Sequence, residues 1–337
     1  MKQILFTAIN KAELLEVPAI APREDEVVVK TMVSTVSCGT EKANLTGSTS
    51  VCGVSPEEDV PHYPRYPGYS SAGVIVEKGS AVKNFDVGDR VVVFNGHHKQ
   101  FNTVPEYNLV RMDDGITFSE AAIMYIGTFP LAGIRKTRLE IGEPVMVMGL
   151  GLLGQLAVQY ARAAGGAPVI AADPVPQRRE AAIRRGADYA LDPTAEGFAE
   201  RVKALTGGGV HAAIEVTGVG AGLDETLDCM AKFGRIALLG CTRNSHFEID
   251  YYRKVHCMGI TLIGAHTDAR PRYESYPAYF THHDDIRCLM RMCRMGRIDL
   301  KQMVAETRSP EDAPEVYTRL ATDPNFPVTV QFDWTRL

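Results

Sequence analysis

Through the middle of the chain, nearly continuous apolar runs alternate with amphipathic stretches. "PVMVMG" (144–149), "PVIAAD" (168–173), "HAAIEVTG" (211–218), "GRIALLG" (234–240) and "ITLIGAH" (260–266) read as strands. Between them, "LLGQLAVQYARAAG", "PQRREAAIRRG" and "GLDETLDCMA" have the spacing of helices with one apolar face. Apolar strands between amphipathic helices predict a parallel sheet covered on both faces. The first third differs. "EVVVKTMVSTVS" (26–37), "SAGVIVEKG" (71–79) and "DRVVVFNG" (89–96) are Val-rich, with turn residues between them, and predict a separate β domain. "TFSEAAIMYIGTFPLAGIRK" opens with a Thr117–Glu120 capping box and predicts a helix. "FPVTVQFDW" near the end reads as a strand that could return to the β domain.

With 337 residues the chain has room for two domains, so the class is α/β with a second, β-rich domain. The net charge of −5 disfavours bulk electrostatic binding to nucleic acid or an anionic membrane. No apolar run is long enough to span a bilayer. Seven cysteines without a CxxC pair argue against a disulfide framework or a four-cysteine zinc site, and a cytoplasmic location is expected. A loop dense in Gly, Ser and Pro between residues 44 and 68 has the length of a functional segment.

The chemistry begins at Gly149-x-Gly151-x-x-Gly154. A strand precedes this turn, a helix follows, and the next strand ends in Asp173, which is the context of a dinucleotide site. Gly149 allows the tight turn, Gly151 lets a pyrophosphate approach, and Gly154 lets the helix pack closely. Leu152 and Leu153 open the helix whose N–H groups meet the phosphates. Asp173 would accept hydrogen bonds from the adenosine ribose and repel a 2′-phosphate, which favours NAD over NADP. Arg178 is expected to flank the adenine, and Thr217 and Gly240 are assigned to the same cofactor edge.

The markers "SCGTE" (37–41), "PGYSSAGVIVEKGSAVKNFDVGDRV" (67–91), "GLGLLG" (149–154) and "GRIALLG" resemble the medium-chain dehydrogenase/reductase superfamily, from about residue 20 to the C-terminus. The resemblance implies a GroES-like substrate domain over 1–120 and 296–337 and a Rossmann NAD-binding domain over 121–295. It further implies a homodimer or homotetramer acting on a small polar substrate. Zinc-dependent members hold their metal by three side chains. Cys38 matches the first, but Tyr69 stands at the histidine position and Tyr125 at the third. A thiolate and two phenols are a poor zinc set, so the resemblance points to the zinc-independent branch, with no metal.

Hydride transfer without a metal needs hydrogen-bond donors or a placed acid/base. Thr40 matches the family hydroxyl that contacts the reacting oxygen. Tyr69 and Tyr125 either share that work or fill the space left by the metal. His266, at a Rossmann strand end, is a further catalytic candidate. Cys38, Glu41, His62 and His98 are expected near the substrate, with Glu41 pairing to an Arg or Lys. His282, His283, Asp284 and Asp285 read as a helix cap and a solvated first turn. These residues predict an NAD-dependent dehydrogenase interconverting a secondary alcohol and a ketone on a sugar, polyol or cyclitol. A metal-free quinone or enone reductase and a non-catalytic dinucleotide binder are the alternatives.

Overall fold

The Val-rich runs of the first third pair as expected. Strands β1 (Lys2–Ala8) and β2 (Lys11–Glu16) form an antiparallel ribbon. The next segment contains β3 (Glu26–Thr35), α1 (Cys38–Leu45), β4 (Ser70–Lys78), β5 (Arg90–Phe94), β6 (Phe101–Pro105) and β7 (Leu109–Arg111). Antiparallel pairing joins β3 to β4, β4 to β5 and β5 to β7, while β6 also pairs with β3. Val27, Val29, Ile75, Val91, Val93 and Val104 point into one core. Burying each aliphatic side chain contributes roughly 1.5–3 kcal/mol. The structure, a computed structural model, describes residues 1–48, 50, 51 and 62–337. Cys52 and the middle of the Gly-rich loop lie outside the described residues.

Helix α2 (Phe118–Thr137) starts where the capping box predicts. The Glu120 carboxylate accepts from the Thr117 N–H at 2.9 Å, and the Thr117 hydroxyl accepts from the Glu120 N–H at 3.2 Å. Then come β8 (Val145–Met148), α3 (Leu152–Ala163), β9 (Val169–Ala172), α4 (Pro176–Arg184), β10 (Tyr189–Leu191) and α5 (Phe198–Thr206). After them follow β11 (Val210–Glu215), α6 (Gly220–Asp228), β12 (Met230–Leu238) and β13 (Thr261–Gly264). The six strands order as β10-β9-β8-β11-β12-β13, all parallel. Counted from β8 this is 3-2-1-4-5-6, the doubly wound order of dinucleotide-binding sheets, with its switch point between β8 and β11. Strand β10, only three residues long, and helix α5, whose buried Phe198, Ala199 and Val202 give it an apolar face, lie outside the elements predicted from the sequence.

Helix α7 (His282–Arg294), β14 (Glu306–Arg308), α8 (Ala313–Thr322) and β15 (Val330–Asp333) complete the chain. Strand β15 pairs antiparallel with β3, setting Phe332 opposite Ser34, so the C-terminus completes the first sheet. Two units result, residues 1–126 with 286–337 and residues 127–285. The crossings fall inside α2 and α7 rather than at residues 121 and 296, so each of these two helices contributes residues to both units. No helix among the described residues is long and apolar enough to cross a membrane.

Candidate active site

In the first unit, β3 runs directly into α1, so Ser37, Cys38, Thr40 and Glu41 crowd one turn. Tyr69 stands just before β4. The Ser37 and Tyr69 hydroxyls make a close hydrogen bond, and the Thr40 hydroxyl also bonds to Tyr69. The Tyr69 ring meets Tyr125 edge-on, with centroids 5.8 Å apart. Tyr125 stacks on Phe94 at 5.1 Å and donates to Asn95 Oδ1 at 2.9 Å. Burial drives the Tyr69 pKa well above its ordinary value, against the Ser37 and Thr40 hydrogen bonds, while the Glu41 charge adds to the rise. At neutral pH Tyr69 is therefore a phenol and not a phenolate. Cys38 Sγ lies 3.6 and 3.7 Å from the carbonyl oxygens of Val328 and Pro327.

Two expected substrate contacts are instead buried scaffold. His98 is 0% exposed and Glu41 only 2%. The Glu41 carboxylate accepts from the Ser37 N–H at 2.9 Å, the Tyr317 hydroxyl at 2.5 Å and His98 Nε2 at 3.2 Å. Its partner is thus an imidazole and a phenol rather than an Arg or Lys. Ser34 Oγ accepts from Trp334 Nε1 at 2.8 Å, which frees its own proton for His98 Nδ1 at 2.7 Å. That leaves the Nε2–H of His98 for Glu41. Burial alone would raise the Glu41 carboxyl, but His98 and the Ser37 and Tyr317 donors hold it below the usual range. Both groups are buried and hydrogen-bonded to partners inside the unit. His62 is exposed, and its carbonyl accepts from Arg65 Nε at 3.1 Å.

In the second unit, the proposed cofactor residues collect at the C-terminal edge of the parallel sheet. Gly149 has φ +94°, a left-handed conformation that favours glycine. A Cβ on Gly154 would lie 1.8 Å from the Gly149 oxygen, so only glycine lets α3 approach β8. A Cβ on Gly151 would meet nothing within 4 Å, which leaves the room a pyrophosphate needs. The Asp173 carboxylate ends β9 and accepts from the N–H groups of Leu150 and Val175, both at 2.8 Å, with Arg178 3.7 Å away. Arg179 is occupied by the Asp173 and Pro174 carbonyls and by Asp192. Thr217 follows β11, and Gly240 follows β12. His266 follows β13, where its Nδ1 accepts from the Asp268 N–H at 3.3 Å.

Other polar residues were missed or misread. Asn95 was announced only by the Asn-Gly step after β5, and Tyr317 and Trp334 by nothing local. Glu215 is the one acid in an apolar strand, a signal that was available. Its carboxylate accepts from the N–H of Thr217 at 2.8 Å, from the Thr217 hydroxyl, and from the Gly218 N–H at 3.3 Å. Burial pushes its pKa up, against those three bonds. The first turn of α7 is not solvated as expected. Asp285 is fully buried between Arg135 at 3.0 Å and Arg270 at 3.1 Å. His282 Nδ1 meets the Thr128 hydroxyl at 2.9 Å. Thr281 and Asp284 do cap the helix, the Thr281 hydroxyl accepting from the Asp284 N–H at 3.2 Å.

Family models place these two halves. Residues 23–129 match an alcohol dehydrogenase GroES-like domain, and residues 153–280 match a zinc-binding dehydrogenase. The chain belongs to the medium-chain dehydrogenase/reductase superfamily. It is an NAD(P)-dependent oxidoreductase of the alcohol-dehydrogenase type. D-guloside 3-dehydrogenase of Escherichia coli is 27% identical over 253 residues, covering 74% of this chain and 72% of that protein. Sorbitol dehydrogenase of Bacillus subtilis is 29% identical over 271 residues, covering 71% of this chain and 74% of that protein. The crystal structure of galactitol-1-phosphate dehydrogenase from Escherichia coli shares the superfamily fold. It superposes with a TM-score of 0.83 at 19% identity, covering 99% of this chain and 100% of that one. Among the described residues, no group of three or more His, Cys, Asp or Glu side chains is placed to hold a metal ion.

Proposed function

We propose that this protein is an NAD-dependent dehydrogenase that interconverts a secondary alcohol and a ketone on a hydroxyl-rich substrate without zinc. The observation that carries the reading is the hydroxyl cluster of Ser37, Thr40 and Tyr69, in which Tyr69 stands where the family resemblance implies a metal-binding histidine in zinc-dependent members. The donor set does not fit the ion. Catalytic zinc takes His, Cys and carboxylate, and Tyr69 is held protonated by its surroundings. A neutral phenol donates a hydrogen bond well. Tyr69 therefore stabilises negative charge on the reacting oxygen, and Ser37 and Thr40 fix the direction of its O–H. In alcohol oxidation the substrate hydroxyl proton is passed along these hydroxyls, each taking one proton and giving up another, to solvent water. Glu41, His98 and Tyr317 hold the turn that carries it.

The dinucleotide supplies the hydride acceptor when bound. Gly149, Gly151, Leu152 and Leu153 would hold its pyrophosphate, and Gly154 keeps that helix close. Asp173 favours the 2′-hydroxyl of NAD over the 2′-phosphate of NADP, with Arg178 beside the adenine. Thr217 and Gly240 lie further along the same edge. A sugar or polyol substrate is supported by the relatives named for guloside and sorbitol, and by the hydroxyl character of the cluster. Elemental analysis of the purified protein, with NADH and NADPH formation followed on a polyol and sugar panel before and after chelator, tests the reading. The expected result is chelator-insensitive turnover with NAD and no stoichiometric metal. Stoichiometric zinc with chelator-sensitive turnover would overturn it.

A further inference from the structure

Glu215 has no role in the reading above, yet it sits beside the dinucleotide turn. It ends β11, in register with Met148 at the end of β8, and is 3% exposed. Among the described residues no cation pairs with it. Its carboxylate is spent on its own loop, through the Thr217 N–H, the Thr217 hydroxyl and the Gly218 N–H. The Thr217 hydroxyl in turn accepts from the Val219 N–H at 3.1 Å. That loop is wedged at the switch point. A Cβ on Gly149 would lie 3.0 Å from Thr217 Cγ2, and one on Gly240 would lie 2.3 Å from the Gly218 nitrogen. The loop packs closely against both glycines, and its three donors to the carboxylate tie Thr217 and Gly218 to Glu215.

The sheet order gives this a direction. Asp173 ends β9, on one side of the turn after β8, and the Thr217 loop follows β11 on the other. A dinucleotide whose adenosine ribose rests on Asp173 must cross toward β11 and β12. We infer that Glu215 is a positioning residue that sets the Thr217–Gly218 loop against the nicotinamide half of the cofactor. The inference rests on the dinucleotide reading of the 149–154 turn. A carboxylate suits the task because three donors converge on it and it has only acceptors to offer. An amide of the same shape would turn an NH2 toward one of those donors.

Calorimetric binding of NADH and of ADP to the full-length protein tests the assignment, since ADP probes only the adenosine and pyrophosphate side. In Glu215→Gln, NADH binding should weaken about tenfold, the loss expected for one charge-assisted hydrogen bond, with ADP binding unchanged. Thr217→Val, which removes the hydroxyl and keeps the shape, should weaken NADH selectively too, and it decides the matter if Glu215→Gln does not fold. Equal loss of both ligands, or no loss of either, would overturn the positioning role. A wild-type protein that binds neither ligand would overturn the dinucleotide reading and the inference with it.

Discussion

At the scale of single residues, Tyr69 is the decisive group. Its hydroxyl is held by Ser37 and Thr40, and its ring packs on Tyr125. A residue that only filled space would need the ring and not the hydroxyl. Tyr69→Phe keeps the ring and removes the hydroxyl that the proposed mechanism aims at developing charge. We expect kcat to fall about 10²–10³-fold, as for loss of an oxyanion donor, with KM little changed. Steady-state kinetics on an active polyol would measure it, and an unchanged kcat would return Tyr69 to packing. The glycine turn at 149–154 and the strand that leads to Asp173 were legible in the sequence because strand, turn, helix and acid are contiguous. The Glu41–His98–Ser34–Trp334 array was not. Its members stand far apart in the chain and meet only when β15 closes on β3. Histidine and glutamate near a substrate domain look the same on paper whether they face solvent or each other.

At the scale of elements, the apolar runs located strands and helices well, because a strand buried on both faces cannot hide its composition. Weaker patterns failed. Strand β10 is only partly buried, and at three residues, Tyr189–Leu191, it is too short to show a period. Helix α2 shows what a terminal signal adds to periodicity. Thr117 and Glu120 bond reciprocally at its start, with a third contact between their side chains at 2.6 Å. Glu120 is itself buried, so its carboxylate depends on those donors. Thr117→Ala should cost about 1 kcal/mol, in the range of measured cap losses. Urea titration would detect this as a lower midpoint with an unchanged slope. A midpoint equal to wild type would mean that tertiary packing alone fixes the start of the helix. The same helix carries Tyr125 and runs on into the second unit, so its start sets the register of a site residue.

At the scale of the whole molecule, folding stability at acid pH is tied to two groups in the first turn of α7. Burial, with Arg270 and His283 nearby, pulls the His282 pKa from 6.5 down to about 2. An unfolded chain takes up that proton near pH 6.5 while the folded protein refuses it. Between those values the folded state binds fewer protons, so stability falls as pH drops through 6.5. At pH 5 the loss from this group is about 2 kcal/mol. Asp285 opposes it. Burial raises its carboxyl from 3.8 to about 6 despite Arg270 and Arg135. The folded state therefore holds an extra proton in that window. Its stabilising contribution is present below 3.8 and lost as pH rises through 6. The two slopes partly cancel between pH 4 and 6, so only a difference between proteins isolates either one. His282→Asn removes the titrating ring and keeps a polar partner for Thr128. Its melting temperature should fall less than that of wild type between pH 7 and pH 5. Parallel melting curves for the two proteins across that range would show that His282 takes up its proton in the folded state, in spite of its burial.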